Sequence, residues 1–198
     1  MWTLLPALLL IIMAAIVSVI HRIKPNFGLS WLLSVLAAMI ALGLMVAFHW
    51  LQPVAVGDNT WLPATQEAAQ ILFKVDDISW SYGISLLCLL LAVLLTAPVR
   101  LQYRSSPITW LANLAIGGAA LLSVLAATPL TLVLTWTILD LIDLVVSMAS
   151  KADARINRAA IISFAFRLTG SLLVVWAMGL SRAGGAQLLL NETQPLPA

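Results

Sequence analysis

Six apolar stretches constrain this chain more than any motif in it: residues 2–20, 31–51, 82–98, 108–127, 129–149 and 159–180. A helix needs about 20 apolar residues to cross a hydrocarbon core about 30 Å thick. Backbone amides find no water inside lipid, so stretches of this kind cross it as helices. Composition agrees: 62% of the 198 residues are hydrophobic and 9% are charged, against roughly 25% charged in a soluble domain. A water-soluble chain with so few polar residues could not cover its own core. The expected fold is an all-α polytopic membrane protein of about six transmembrane helices. It forms a single transmembrane domain over 1–198: two N-terminal helices (1–51), an outer loop (52–80), a four-helix cluster (81–182) and an outer tail (183–198).

The connections carry charge unevenly. The first holds Arg22 and Lys24, the third Arg100 and Arg104, and the fifth Lys151, Arg155 and Arg158 against Asp153. The long second connection holds Asp58, Glu67, Asp76 and Asp77 against Lys74. Basic loops stay on the cytoplasmic side, so the odd-numbered connections are expected inside and both termini outside. The net charge of +2 reflects this loop bias. No basic run suits nucleic acid. Cys88, the one cysteine, excludes an intrachain disulfide or a thiolate cluster. The first apolar run starts without a basic region and exceeds a signal-peptide core, so it is expected to remain as a helix. The "NET" string in the tail matches a glycosylation pattern too short to carry weight.

Local signals refine the layout. Pro129 suits a helix start, where its missing N–H costs nothing. The "ATP" connection before it is short enough to make the fourth and fifth helices antiparallel neighbours. Gly117, Gly118 and Ala119 mark a face open to close helix approach. The alternating "FKVDDISWSYG" predicts a short extended or hairpin segment packed on the outer surface ahead of the third helix.

No phosphate-cradling loop, paired metal-ligand histidines or nucleophile elbow is present in the sequence. His21 falls at the cytoplasmic end of the first helix and His49 near the outer end of the second, on opposite sides of the bilayer, so they cannot act together as axial haem ligands within one subunit. No cofactor is implied. The informative residues are Asp140 and Asp143 in the fifth helix and Arg167 in the sixth. The two aspartates are one turn apart and share a helix face. Counted from Pro129 at 1.5 Å per residue, they lie about 16 and 21 Å deep, and Arg167 reaches a comparable depth. A charge at the bilayer centre costs about 2.5–3.5 kcal/mol on insertion scales, so the simplest satisfied arrangement pairs Arg167 with one or both acids. Two roles stay open: a relay that passes protons or cations, and an ion pair that locks two helices. A guanidinium that never deprotonates pins a carboxylate in its charged form, which suits a lock. Two acids against one base leave a carboxylate free to titrate, which suits a relay.

Three strings resemble a known family. "VDDISWSYGISLLCLLLAVLLTA" resembles the approach into the third helix of the antiporter-like subunits of respiratory complex I and of multisubunit cation/proton antiporters. "LLSVLAATPLTLVLTWTILDL" resembles their fourth and fifth helices, and "NRAAIISFAFRLTGSLLVV" their sixth with its glycine. The resemblance covers about 73–180. It departs from the family where chemistry is expected: Thr137 follows Trp136 where the family has a glutamate, and Asp140 and Asp143 stand one and two turns further on. Ile162 occupies the place where some members carry a lysine, and Arg167 has no secure counterpart. The family's transport unit is a pair of inverted five-helix repeats beginning at the fourth helix, so these six helices are not expected to form a channel alone. The resemblance implies a membrane subunit of a larger proton- or cation-translocating complex, NADH dehydrogenase-like or antiporter-like. Asp140 and Asp143 would handle protons and Arg167 would tune them. It would be at most a non-catalytic subunit of an ion-translocating oxidoreductase, in a bacterial inner membrane, with other membrane subunits and lipid as partners. The alternative is a non-conducting scaffolding subunit of a redox or photosynthetic complex.

Overall fold

In the computed structural model the described residues are 2–23, 27–50, 55–57, 71–100, 108–149 and 154–183. The loop residues Lys24, Asp58, Glu67, Arg104, Lys151 and Asp153, the "NET" string, and the side chains of Arg22, His49, Arg100 and Arg155 lie outside what is described. Six helices account for most of the fold: α1 (Leu5–Ile23), α2 (Phe27–Ala47), α3 (Asp77–Arg100), α4 (Ile108–Val124), α5 (Pro129–Ala149) and α6 (Ala154–Ala183). Among the described residues, four contain a span long and apolar enough to cross a membrane: Gly28–Ala47, Asp77–Thr96, Pro129–Ala149 and Asn157–Leu180. The apolar parts of the other two are shorter, Leu5–His21 and Trp110–Val124.

Helices α1 to α4 enclose the core, with α1 packed on α2 and α4, and α3 on α2 and α4. Trp110, Leu10, Met45, Leu87, Leu94, Leu114 and Leu121 are fully buried there. Helix α5 packs on the flank of α4, and α6 packs principally on α5. The core is tight because α4 is narrow. A Cβ on Gly118 would stand 3.1 Å from the Ala7 carbonyl oxygen and 3.3 Å from the Ile11 nitrogen, both backbone atoms of α1. One on Gly117 would collide with Leu90 of α3. Small residues at such contacts let helices approach in lipid, where no hydrophobic drive pulls them together.

Two indoles pin α2 to α3 at opposite ends. The Trp31 Nε1 donates to the Leu94 carbonyl at 2.8 Å, and the Trp80 Nε1 donates to the Met45 carbonyl at 2.9 Å. Each ring starts near the N-terminus of its own helix and reaches a carbonyl near the C-terminal end of the other.

Helix α3 begins at Asp77, five residues earlier than the hydropathy suggested. Its cause is a cap: the Asp76 carboxylate accepts from the Ser79 amide at 2.7 Å and from the Ser79 hydroxyl. A polar residue that satisfies the first free amides starts a helix where apolar counting cannot see it. The expected extended segment is therefore shorter than "FKVDDISWSYG". Strand β2 (Leu72–Lys74) pairs antiparallel with β1 (Ala55–Gly57), and the chain turns helical directly afterwards.

The hairpin is tied to the α4–α5 corner. Phe73 bridges Ala126, the Lys74 amide donates to the Leu125 carbonyl at 2.9 Å, and the Ala127 amide donates to the Leu72 carbonyl at 3.0 Å. The Leu72 amide donates to Thr131 Oγ1 at 3.0 Å, and that hydroxyl lies 2.7 Å from the hydroxyl of Thr128, which caps α5. Pro129 follows at the first helical position, as expected.

Gly118→Val should lower stability by about 1–3 kcal/mol, since two backbones must part to admit it. Gly43→Ala, with nothing within 4 Å of the added atom, should stay within about 0.5 kcal/mol of the parent. Detergent unfolding in mixed micelles measures both; equal midpoints would remove the close α1–α4 contact.

Candidate intramembrane charge site

Helix α5 presents two faces. Thr131 and Thr135 are buried toward the core side, with the Thr135 hydroxyl returned to the Thr131 carbonyl at 3.0 Å. Asp140 and Asp143 lie on the face that meets α6. Thr137, which follows Trp136, has its hydroxyl bonded to the Val133 carbonyl at 2.8 Å and takes no part in the charge cluster.

Arg167 sits near the middle of α6 and joins both acids. Its Nη1 lies 3.1 Å from Asp140 Oδ1 and 3.0 Å from Asp143 Oδ2. One nitrogen thus serves two carboxylates, and the one-turn spacing on α5 makes that possible. The three do not share one environment: the Asp140 side chain is 14% exposed, Asp143 45% and Arg167 49%. Beside them runs an open groove of about 610 Å³ between α5 and α6. It is lined by Trp136, Leu139, Asp140, Arg167, Gly170, Ser171 and Val174.

Trp136 and Gly170 entered the sequence reading only as marks of the family resemblance, and Ser171 and Val174 not at all. Their signal was helical spacing alone: Trp136 precedes Asp140 by one turn, and Gly170 and Ser171 follow Arg167 by one turn. Ile162 is exposed on α6. His21 is half-buried at the far end of α1, and its Nδ1 has no partner among the described residues. No cluster of three or more metal-ligating side chains occurs among the described residues.

Chemically the site is an anionic pair held by a permanent cation. If both acids are ionised, the set bears one surplus negative charge. In water such an exposed pairing contributes at most about 1 kcal/mol. At mid-bilayer each unpaired charge is far more costly, so the contacts to Arg167 carry more weight in lipid than the same distances would at a soluble surface.

No family model matches the sequence, and no curated protein matches it. Among solved structures, the fold resembles a chain of the membrane-bound sulfane sulfur reductase (MBS), an archaeal respiratory membrane complex, with a TM-score of 0.70 at 18% identity. The likeness covers 93% of this chain and 28% of that one. The chain therefore has the helical fold of part of a respiratory membrane-complex chain, and its apolar helices are those of an integral membrane protein.

Arg167→Leu should destabilise the α5–α6 pairing by about 1–3 kcal/mol, below the cost of breaking a fully buried pair because Asp143 and Arg167 are about half exposed. Adding Asp140→Asn and Asp143→Asn should recover much of that loss. Mixed-micelle unfolding reports the difference; a single variant as stable as the parent would mean the three charges contribute nothing to holding the helices.

Proposed function

We propose that this chain is a membrane subunit of a larger proton- or cation-translocating complex, and that Asp140 and Asp143 handle the proton while Arg167 tunes them. The observation that carries this reading is two carboxylates sharing one guanidinium nitrogen at mid-helix. Intramembrane carboxylates of that kind mark ion pathways. Because one base cannot neutralise two acids, a proton can be held by the pair without dismantling the contact. Asp143 is the more accessible of the two, so it is the group assigned to exchange protons, with Asp140 as the inner partner. The fold likeness to a respiratory membrane-complex chain supports membership in an assembly, and the sequence resemblance to antiporter-like subunits supports ion movement as the task.

In this reading all six helices cross the membrane, both termini lie outside, and the hairpin end of the bundle faces outward. The bias of Arg22, Lys24, Arg100, Arg104, Arg155 and Arg158 toward the opposite end supports that orientation. In a Cys88→Ser background, cysteines introduced at Asp58 and Lys151 should label from opposite sides, Asp58 from outside. Labelling of both from one face would sink the six-span arrangement.

A non-conducting scaffold is the second reading, favoured by the same double contact, since a guanidinium bound to both acids also locks α5 to α6. The charge-free combination of Arg167→Leu, Asp140→Asn and Asp143→Asn separates the two. Under the proton-handling reading, the complex purified from native membrane should assemble with this variant and lose proton translocation. Translocation at the parent rate would assign the charges to the lock.

A further inference from the structure

Pro98 stands inside α3, near its end at Arg100. A proline has no amide proton, so the Leu94 carbonyl, one turn earlier, loses the donor a helix would give it, and the ring crowds that carbonyl outward. The carbonyls ahead of the proline nonetheless find side-chain donors. The Thr96 hydroxyl is shared between the Ala92 carbonyl at 2.8 Å and the Val93 carbonyl at 3.2 Å. The Leu94 carbonyl accepts from Trp31 Nε1 at 2.8 Å.

These donors differ in what they fix. Thr96 belongs to α3 itself, so its bonds travel with the helix, and a hydroxyl returned to the preceding turn favours a bend. Trp31 belongs to α2 and packs against the core, so its bond sets the direction in which α3 points. Leu94 is fully buried, whereas Leu95 and Thr96 after it are exposed. Among the described side chains, the core's grip on α3 thus ends at the residue whose carbonyl the indole holds. A main-chain bond within a helix breaks when the helix unwinds. A bond to an indole breaks when one side chain turns.

We infer that the Leu94–Pro98 turn is a hinge in α3 and that Trp31 is its latch. While the indole is bonded, the last turn of α3, residues 95–100, holds one direction. When the indole lets go, that turn swings at the place where the helix lacks a main-chain bond. The device lies at the end of α3 away from the hairpin. It does not involve α5, α6 or the charges between them, so it stands apart from the proton-handling reading.

The test uses the full chain, carrying Cys88→Ser, in phosphatidylcholine nanodiscs. Spin labels are placed on Met39→Cys, a site exposed on α2, and on Arg100→Cys beyond the hinge. Pulsed electron paramagnetic resonance reads the distribution of distances between them. Trp31→Phe keeps a ring and removes the donor, and should widen that distribution about twofold. A second label pair, Met39→Cys with Leu89→Cys, lies wholly before the hinge and should stay as narrow as in the parent. Pro98→Ala returns an amide to the Leu94 carbonyl, so in that background Trp31→Phe should leave the first pair as narrow as in the parent. If Trp31→Phe alone does not fold, Pro98→Ala should restore folding for the same reason. A Trp31→Phe defect of equal size with and without Pro98→Ala would overturn the inference. So would an unchanged distribution in Trp31→Phe, or equal widening of both label pairs.

Discussion

Hydrocarbon offers no hydrogen-bond partner, and the polar groups of this chain are arranged around that constraint. Hydroxyls in the helices return to carbonyls of the preceding turn, as Ser34 does to Ser30, Ser123 to Ala119 and Thr169 to Ala165. Indoles reach carbonyls that have no intrahelical donor, that of Met45 in the last turn of α2 and that of Leu94, four residues before Pro98 in α3. The three central charges meet one another. Each device gives a polar group a partner within the chain without asking for water.

Packing obeys a second condition. Lipid chains are as apolar as leucine, so helices associate through close fit and polar contacts. In the core that fit is supplied by Gly117 and Gly118, which bring α4 against α3 and α1. At α5–α6 it is supplied by charge, and the groove beside the charges stays open. The fold thus grades from a close-packed centre to a loosely covered flank, and the chemistry-bearing residues lie at the loose end.

Much of this was legible in the sequence because lipid simplifies the code. A run of about 20 apolar residues is hard to misread, and charges inside such runs stand out by their cost. That is why α5 is found where it was expected, and why Asp140, Asp143 and Arg167 could be singled out before any distance was known. The start of α3 was hidden, because the Asp76–Ser79 cap is a local polar event invisible to hydropathy. The groove was hidden for a different reason. Trp136, Gly170 and Ser171 acquire meaning only when two helices are set side by side, and one helix's spacing does not say which partner it meets. Nor could composition separate Asp140 from Asp143, whose accessibilities differ threefold though they stand a turn apart.

The clamp at the α4–α5 corner has a mechanical consequence. Strand β2 binds the chain on both sides of the α5 start, through Leu125, Ala127 and Thr131. That end of α5 is a fulcrum: it cannot slide along its axis without breaking main-chain bonds. The charged half, more than two turns away, is held by side chains and by α6. A swing about Thr131, small near the corner and largest toward Ala149, would move Asp140 and Asp143 while leaving those bonds intact. A swing of that kind carries the two acids sideways across the α6 surface, and the lever arm is longer for Asp143 than for Asp140.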